Sequence, residues 1–211
     1  LAWTTTPWTL PSNTALTVGE KIEYCLIKTF NLYTHQPINV VLAKELITKV
    51  FKINFKEVQT QEELVFNNDK EIPYMLLETF SGKQIVGMKY HQIWDDAPLP
   101  YDSPENAFRL IAGDFVTTED GTGIVHTAPT FGADDAIAAR NAKPEVPPML
   151  IKNKNDDLVP LVDLQGKFVK ELGFLGGKFV KNEYYDEGKA PERSVDVEIA
   201  IKLKEQNKAF R

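Results

Sequence analysis

Asp120-Gly121-Thr122-Gly123-Ile124-Val125-His126-Thr127-Ala128-Pro129-Thr130-Phe131-Gly132-Ala133-Asp134-Asp135 reads as a turn, a buried strand, a glycine-bearing loop and the start of a helix. His126 closes the strand. The loop after it ends in two acids where a helix begins, so one acid can cap the helix while the other faces a ligand, and a ligand with a free ammonium would suit the second. Each feature also has an ordinary reading. A lone histidine at a strand end is commonly a satisfied structural residue, and paired acids at a helix start are commonly caps.

A second segment, far away in the chain, has the same character: Trp3-Thr4-Thr5-Thr6-Pro7-Trp8-Thr9-Leu10-Pro11-Ser12-Asn13. Thr4, Thr5, Thr6 and Thr9 supply short hydroxyls that donate and accept, on stiff β-branched stems that lose little entropy when ordered. Such groups can orient a water or an ester. Pro7 and Pro11 set φ and remove amide donors, so the chain after Thr6 must turn and cannot continue as a central strand. On composition alone, a threonine-rich strand and turn would account for it.

Outward from these two segments the chain reads as mainly β. Residues 15–18, 24–30, 38–42 and 123–126 are short runs rich in Val, Ile, Thr and aromatics, separated by turn-formers. Helical pattern is expected at 43–51, at 134–141, and at 192–207, where Val195, Ile199 and Leu203 recur four apart with charge between them. Residues 143–160, with Pro144, Pro147, Pro148 and Pro160 around a polar run, read as a connection carrying a short strand or hairpin. Gly173, Gly176 and Gly177 lack the Lys-Ser or Lys-Thr of a phosphate loop and read as strand turns. The expectation is a single domain, 1–211, of α+β class, predominantly β. Its start at Leu1, inside an apolar and threonine-rich run, suggests excision from a longer protein.

A net charge of −6 is the wrong sign for holding nucleic acid by neutralising many phosphates, so any RNA contact should be local. The single cysteine, Cys25, excludes an intramolecular disulfide and favours a reducing, cytoplasmic home. His35, His91 and His126 have no metal-ligand spacing around them, and no structural metal is expected. No apolar run approaches the ~20 residues of a membrane span.

Together the two segments resemble the editing domain inserted in the isoleucyl, valyl and leucyl class I aminoacyl-tRNA synthetases. Trp-Thr-Thr-Thr-Pro-Trp-Thr-Leu-Pro at residues 3–11 resembles the isoleucyl version, because the valyl and leucyl versions carry arginine in place of Thr6 and an acid in place of Trp8. Gly-Thr-Gly-Ile-Val-His at 121–126 and Gly-Ala-Asp-Asp at 132–135 resemble the family's second signature. The stretch 51–111 carries little of the likeness.

The resemblance implies a barrel-like body with a few peripheral helices, and hydrolysis of valine misattached to the isoleucine tRNA, with valyl-adenylate as a further substrate. It implies that Asp135 binds the substrate α-ammonium. Thr4, Thr5, Thr6 and Thr9 would line the aminoacyl pocket and hold the hydrolytic water, with Trp8 packing behind. His126 would form the wall that accepts valine and refuses isoleucine. One methylene separates the two, and the isoleucyl enzyme is itself the standard example of a pair that binding discriminates poorly without a second hydrolytic sieve. Thr5, Thr6, His126 and Asp135 are thus the catalytic candidates. His126 and the tRNA's free ribose hydroxyl are candidates for the base, and backbone near 117–123 for reading the terminal adenosine. The partners implied are the aminoacylated tRNA end and the rest of the parent synthetase, the fragment itself being monomeric. No cofactor is implied here, ATP belonging to the synthetase's catalytic domain. The competing readings are a valyl or leucyl editing domain, against which Thr6 and Trp8 argue, a non-catalytic RNA-binding β module, and a structural insertion without activity.

Overall fold

The computed structural model describes residues 1–52 and 54–210. Nine strands are formed among them: β1 (Ala15–Val18), β2 (Glu23–Phe30), β3 (Pro37–Ala43), β4 (Phe55–Glu57), β5 (Ile72–Ser81), β6 (Arg109–Ala112), β7 (Ile124–Thr127), β8 (Leu150–Lys152) and β9 (Leu158–Pro160). The α-helices are α1 (Ile47–Val50), α2 (Gly82–Ile85), α3 (Ala133–Asn141) and α4 (Val195–Glu205), so strand outweighs helix as the α+β reading requires. No helix of the described residues is long and apolar enough to cross a membrane.

β1 is the middle strand of the sheet β6-β1-β7, parallel to β6 and antiparallel to β7. Its small and β-branched side chains suit burial on both faces, and Ala15, Thr17 and Val18 are fully enclosed. The register sets Leu16 opposite His126 and Ala15 opposite Thr127. The hydroxyls of Thr17 and Thr127 meet at 2.6 Å, so neither is left unsatisfied in the core.

A second sheet has the order β3-β2-β5-β4. Tyr24, fully buried on β2, ties it to the first: its hydroxyl donates to the Gly123 carbonyl at 2.6 Å and accepts the Gly19 N–H at 3.0 Å. The Ala43 N–H donates to the Thr122 carbonyl at 2.8 Å. Gly123 has φ +73, and a Cβ there would lie 2.5 Å from the Ala43 Cβ, so only glycine admits this approach. The turn ahead of β7 is therefore clamped from below.

β8 and β9 pair as the hairpin expected within 143–160. Its apolar face joins the largest core cluster, which includes Trp94, Met149, Leu161, Phe168, Leu172 and Leu175. α4 closes that cluster with Val195, Ile199 and Leu203, the three residues its spacing singled out, and the Ser194 hydroxyl caps it by accepting the Val197 N–H.

Several expectations are corrected. The sheets are open among the described residues, not a barrel: β7 has beyond it only a single bridge, Val125 to Trp3, whereas closure needs every strand paired on both sides. The helical stretch at 43–51 divides into a 3-10 turn, Lys44–Leu46, and the one-turn α1. Gly173 opens a 3-10 turn, Gly173–Leu175, where a strand turn was expected. β5 has no clear alternation, its exposure running through four consecutive positions, 76–79, and so had no period-2 signature to find.

Candidate active site

The segment 3–13 runs past the outer edge of β7, where Trp3 bridges to Val125 in parallel, and then turns as expected into a 3-10 helix, Pro7–Ser12. Pro7 occupies its first turn, where a missing N–H costs nothing. The Thr6 carbonyl stabilises this turn twice, accepting the Thr9 N–H at 3.1 Å and the Thr9 hydroxyl at 2.9 Å. Upstream, the Thr6 N–H donates to the Thr4 hydroxyl at 3.1 Å. The Thr5 and Thr6 side chains are exposed and their hydroxyls have no partner among the described residues.

The loop after β7 folds back against this segment. Between them lies a cleft of about 480 Å³ lined by Trp3, Thr4, Thr5, Thr6, Trp8, Thr9, His126, Ala128, Phe131, Gly132 and Asp135. All seven residues singled out in the sequence thus border one space: Thr4, Thr5, Thr6, Trp8, Thr9, His126 and Asp135. Among the described residues, no group of three or more histidines, cysteines and acids is arranged to hold a metal ion.

Asp135 stands in the first turn of α3, but neither acid caps the helix in the way expected: the N-cap is Gly132, which provides no side-chain bond. Instead Asp135 reaches back, its Oδ2 accepting the Ala128 N–H at 2.8 Å. A Cβ on Gly132 would fall 2.7 Å from the Asp135 carboxyl, so the glycine makes room for that orientation. Burial raises the Asp135 carboxyl above the ordinary carboxylate range, partly countered by the Ala128 hydrogen bond. Its Oδ1 has no partner among the described residues, and a cation entering the cleft would relieve the cost of holding the charge there.

His126 is buried, and both ring nitrogens are engaged. Nε2 lies 3.0 Å from the Thr9 hydroxyl and Nδ1 2.8 Å from Asn13 Nδ2. The polarity of these contacts follows from their neighbours. Asn13 Nδ2 also faces the carbonyls of Ala15 at 2.7 Å and Thr127 at 3.3 Å, which makes it the amide nitrogen and makes Nδ1 the acceptor. The Thr9 hydroxyl gives its proton to the Thr6 carbonyl, so it accepts from Nε2–H. Burial lowers the His126 pKa to about 4, in keeping with a neutral ring. Neither nitrogen keeps a free lone pair for taking a proton from substrate.

Four residues that sequence reasoning left without a role complete the surroundings. Asn13 lies inside the quoted segment. Tyr90 donates through its hydroxyl to Asn13 Oδ1. Phe131 meets Trp8 edge to face, ring centroids 4.9 Å apart. Asp196, in the first turn of α4, accepts the Trp8 N–H at 2.7 Å, and burial raises its carboxyl. A half-buried tyrosine and a helix-start acid have no local signature that distinguishes them from ordinary ones, so only Asn13 and Phe131, by their places in the two segments, could have been suspected.

No protein-family model matches the chain. Among curated proteins it is 50% identical to the isoleucine–tRNA ligase of Cytophaga hutchinsonii and 46% identical to that of Bacteroides fragilis, each match covering 100% of the chain and 19% of the relative. The ligase of Picrophilus torridus is 38% identical over 83% of the chain and 13% of its own length. The chain thus spans about a fifth of the length of the first two relatives. A solved structure, GlLeuRS-CP1, has 18% identity and a TM-score of 0.44, covering 67% of this chain and 42% of that one.

Proposed function

The chain belongs to the isoleucine–tRNA ligase family, as a segment of it, and from that premise we propose that it is the ligase's editing domain, 1–211, which hydrolyses valine esterified to the isoleucine tRNA. The observation that carries the reading is the meeting of Thr4, Thr5, Thr6, Trp8 and Thr9 with His126 and Asp135 around one cleft of about 480 Å³, within the ~300–1,000 Å³ usual for small-molecule sites. Asp135 binds the α-ammonium through Oδ1, an ion contact that an ordinary ester cannot make. The unpartnered hydroxyls of Thr5 and Thr6 hold the attacking water against the ester carbonyl, and the gain is one of orientation. His126 acts by position, as a neutral, rigid part of the floor that limits the side chain admitted, and Trp8 with Phe131 supplies apolar wall. The tRNA end and the rest of the ligase are the partners. No cofactor is assigned to this domain.

The test is deacylation of valyl- and isoleucyl-tRNA for isoleucine, with Asp135→Ala and Thr6→Ala beside the native protein. Cleavage of the valyl ester alone, lost in Asp135→Ala, supports the reading. Equal cleavage of both esters removes the side-chain sieve from it. No cleavage of either by a ligase carrying this segment would end it.

A further inference from the structure

The part-buried contact between Tyr90 and Asn13 has no place in the chemistry above, yet it joins the cleft floor to a part of the chain outside both signature segments. Tyr90 precedes β6 and is held on three counts. Its N–H donates to the Phe108 carbonyl at 2.8 Å, its ring meets the Phe108 ring at 82°, and its body packs against the largest core cluster. These contacts aim the hydroxyl at Asn13 Oδ1, across 77 positions of sequence.

Asn13, only 3% exposed, has one satisfied orientation. Its Nδ2 faces three acceptors, the Ala15 and Thr127 carbonyls and His126 Nδ1, and its Oδ1 faces one donor, Tyr90. Turned over, the amide would set oxygen against two carbonyls. Two carbonyls on one side and a phenol on the other therefore dictate which atom His126 meets. An amide nitrogen at Nδ1 requires that the ring proton sit on Nε2, and Nε2–H requires that the Thr9 hydroxyl accept it and direct its own proton to the Thr6 carbonyl. We propose that Tyr90 is a positioning residue for the editing site: through Asn13, its hydroxyl holds His126 in the Nε2–H tautomer and thereby sets the Thr9–Thr6 contact that shapes the threonine turn.

Removing the hydroxyl leaves Oδ1 a buried acceptor without a donor. One of the two groups that orient the amide is then gone and only the two carbonyls oppose the turned form; where the amide turns its oxygen to His126, the ring takes a proton on Nδ1, accepts from Thr9 at Nε2, and so withdraws the Thr9 hydroxyl from Thr6. The other titratable groups near His126 do not impose this choice: β1 and residues 3–13 carry none, Asp135 lines the same cleft but bonds to the Ala128 N–H, and Asp196 bonds to the Trp8 N–H.

Only the hydrolytic arm of the test rests on the function proposed above. The chain contains three histidines, so ¹⁵N-histidine spectra of the 211-residue protein resolve His126 beside the exposed His35 and His91. Between about pH 5 and 8 the native chain should show His126 neutral and protonated at Nε2. Tyr90→Phe, which keeps the ring, should introduce an Nδ1-protonated or doubly protonated His126 in that range. It should also slow valyl-ester hydrolysis about tenfold, the size of one buried hydrogen bond. A folded Tyr90→Phe with native His126 signals overturns the proposal, whether or not hydrolysis falls. An Nδ1–H tautomer in the native chain overturns it without any variant, which decides the matter should Tyr90→Phe not fold. Absence of hydrolysis in native and variant alike counts against the editing function and leaves the spectra to judge Tyr90.

Discussion

Thr9 and His126, 117 positions apart, are joined by a 3.0 Å contact in which the imidazole Nε2–H donates and the threonine hydroxyl accepts. The same hydroxyl donates to the Thr6 carbonyl, so a single oxygen couples the end of β7 to the turn that carries the exposed threonines. It does so in a buried setting, where an unmade hydrogen bond is costly.

Thr9→Val keeps the branched shape and removes the hydroxyl, orphaning the His126 Nε2–H and one contact of the Thr6 carbonyl. The expected loss is about 1–3 kcal/mol of stability, together with slower deacylation. Thr9→Ser should recover most of both. Urea unfolding of the two variants decides it, and equal stability of Val and Ser variants would show that the hydroxyl contributes nothing.

Acid should weaken the fold through His126. The folded chain holds the ring neutral, with its pKa lowered to about 4 from 6.5, while the unfolded chain binds the proton at the ordinary value. Stability is therefore full above about pH 6.5, falls as the pH drops toward about 4, and levels off below, a loss on the order of 3 kcal/mol. The buried carboxyls of Asp135 and Asp196, raised by desolvation, act in the opposite direction. The informative quantity is accordingly the difference from His126→Gln, whose stability should vary less between about pH 4.5 and 7. A parallel pH dependence in both proteins would rule out the histidine as its source.

Gly123→Ala combines a φ of +73 with a Cβ 2.5 Å from the Ala43 Cβ. It should cost about 2–4 kcal/mol, from backbone strain and overpacking together. Gly188 has a φ of +74 and nothing within 4 Å of an added Cβ, so Gly188→Ala should cost only about 1–2 kcal/mol. Thermal unfolding of the pair separates the two contributions, and equal losses would mean that the approach to Ala43 relaxes freely.

Asp196→Ala removes the acceptor of the Trp8 N–H. Because α4 is held independently by Val195, Ile199 and Leu203 in the core, the helix should persist while the turn at Pro7–Ser12 loosens. Deacylation should fall several-fold, with a stability loss of about 1–2 kcal/mol. Asp196→Asn keeps an oxygen for the bond and should restore most activity. Activity of Asp196→Ala equal to native would show that the anchor does not shape the cleft.

How far these features could be read in advance depends on the range of the interaction behind them. α4 was visible because Val195, Ile199 and Leu203 recur at the helical period, and β1 because its short run holds Thr17 and Val18 between turn-formers. Both signals are local. The turn after Thr6 followed from two prolines that permit no alternative, and the hairpin in 143–160 from turn-formers flanking a polar run. β5 had no such signal, because its partners β2 and β4, not its own pattern, make it a strand.

The sequence by itself determined the family, through two segments whose residue types are unusual enough to be diagnostic, and it determined which side chains deserved scrutiny. Only the tertiary structure decided what they do to one another: that Asp135 turns back to Ala128 and does not cap its helix, that the sheets stay open, and that His126 is locked at both nitrogens. The physical reason is that a side chain's protonation state and hydrogen-bond direction depend on neighbours brought near by folding. For His126 those neighbours are Thr9, Asn13 and, one bond further, Tyr90, none of which lies near it in sequence.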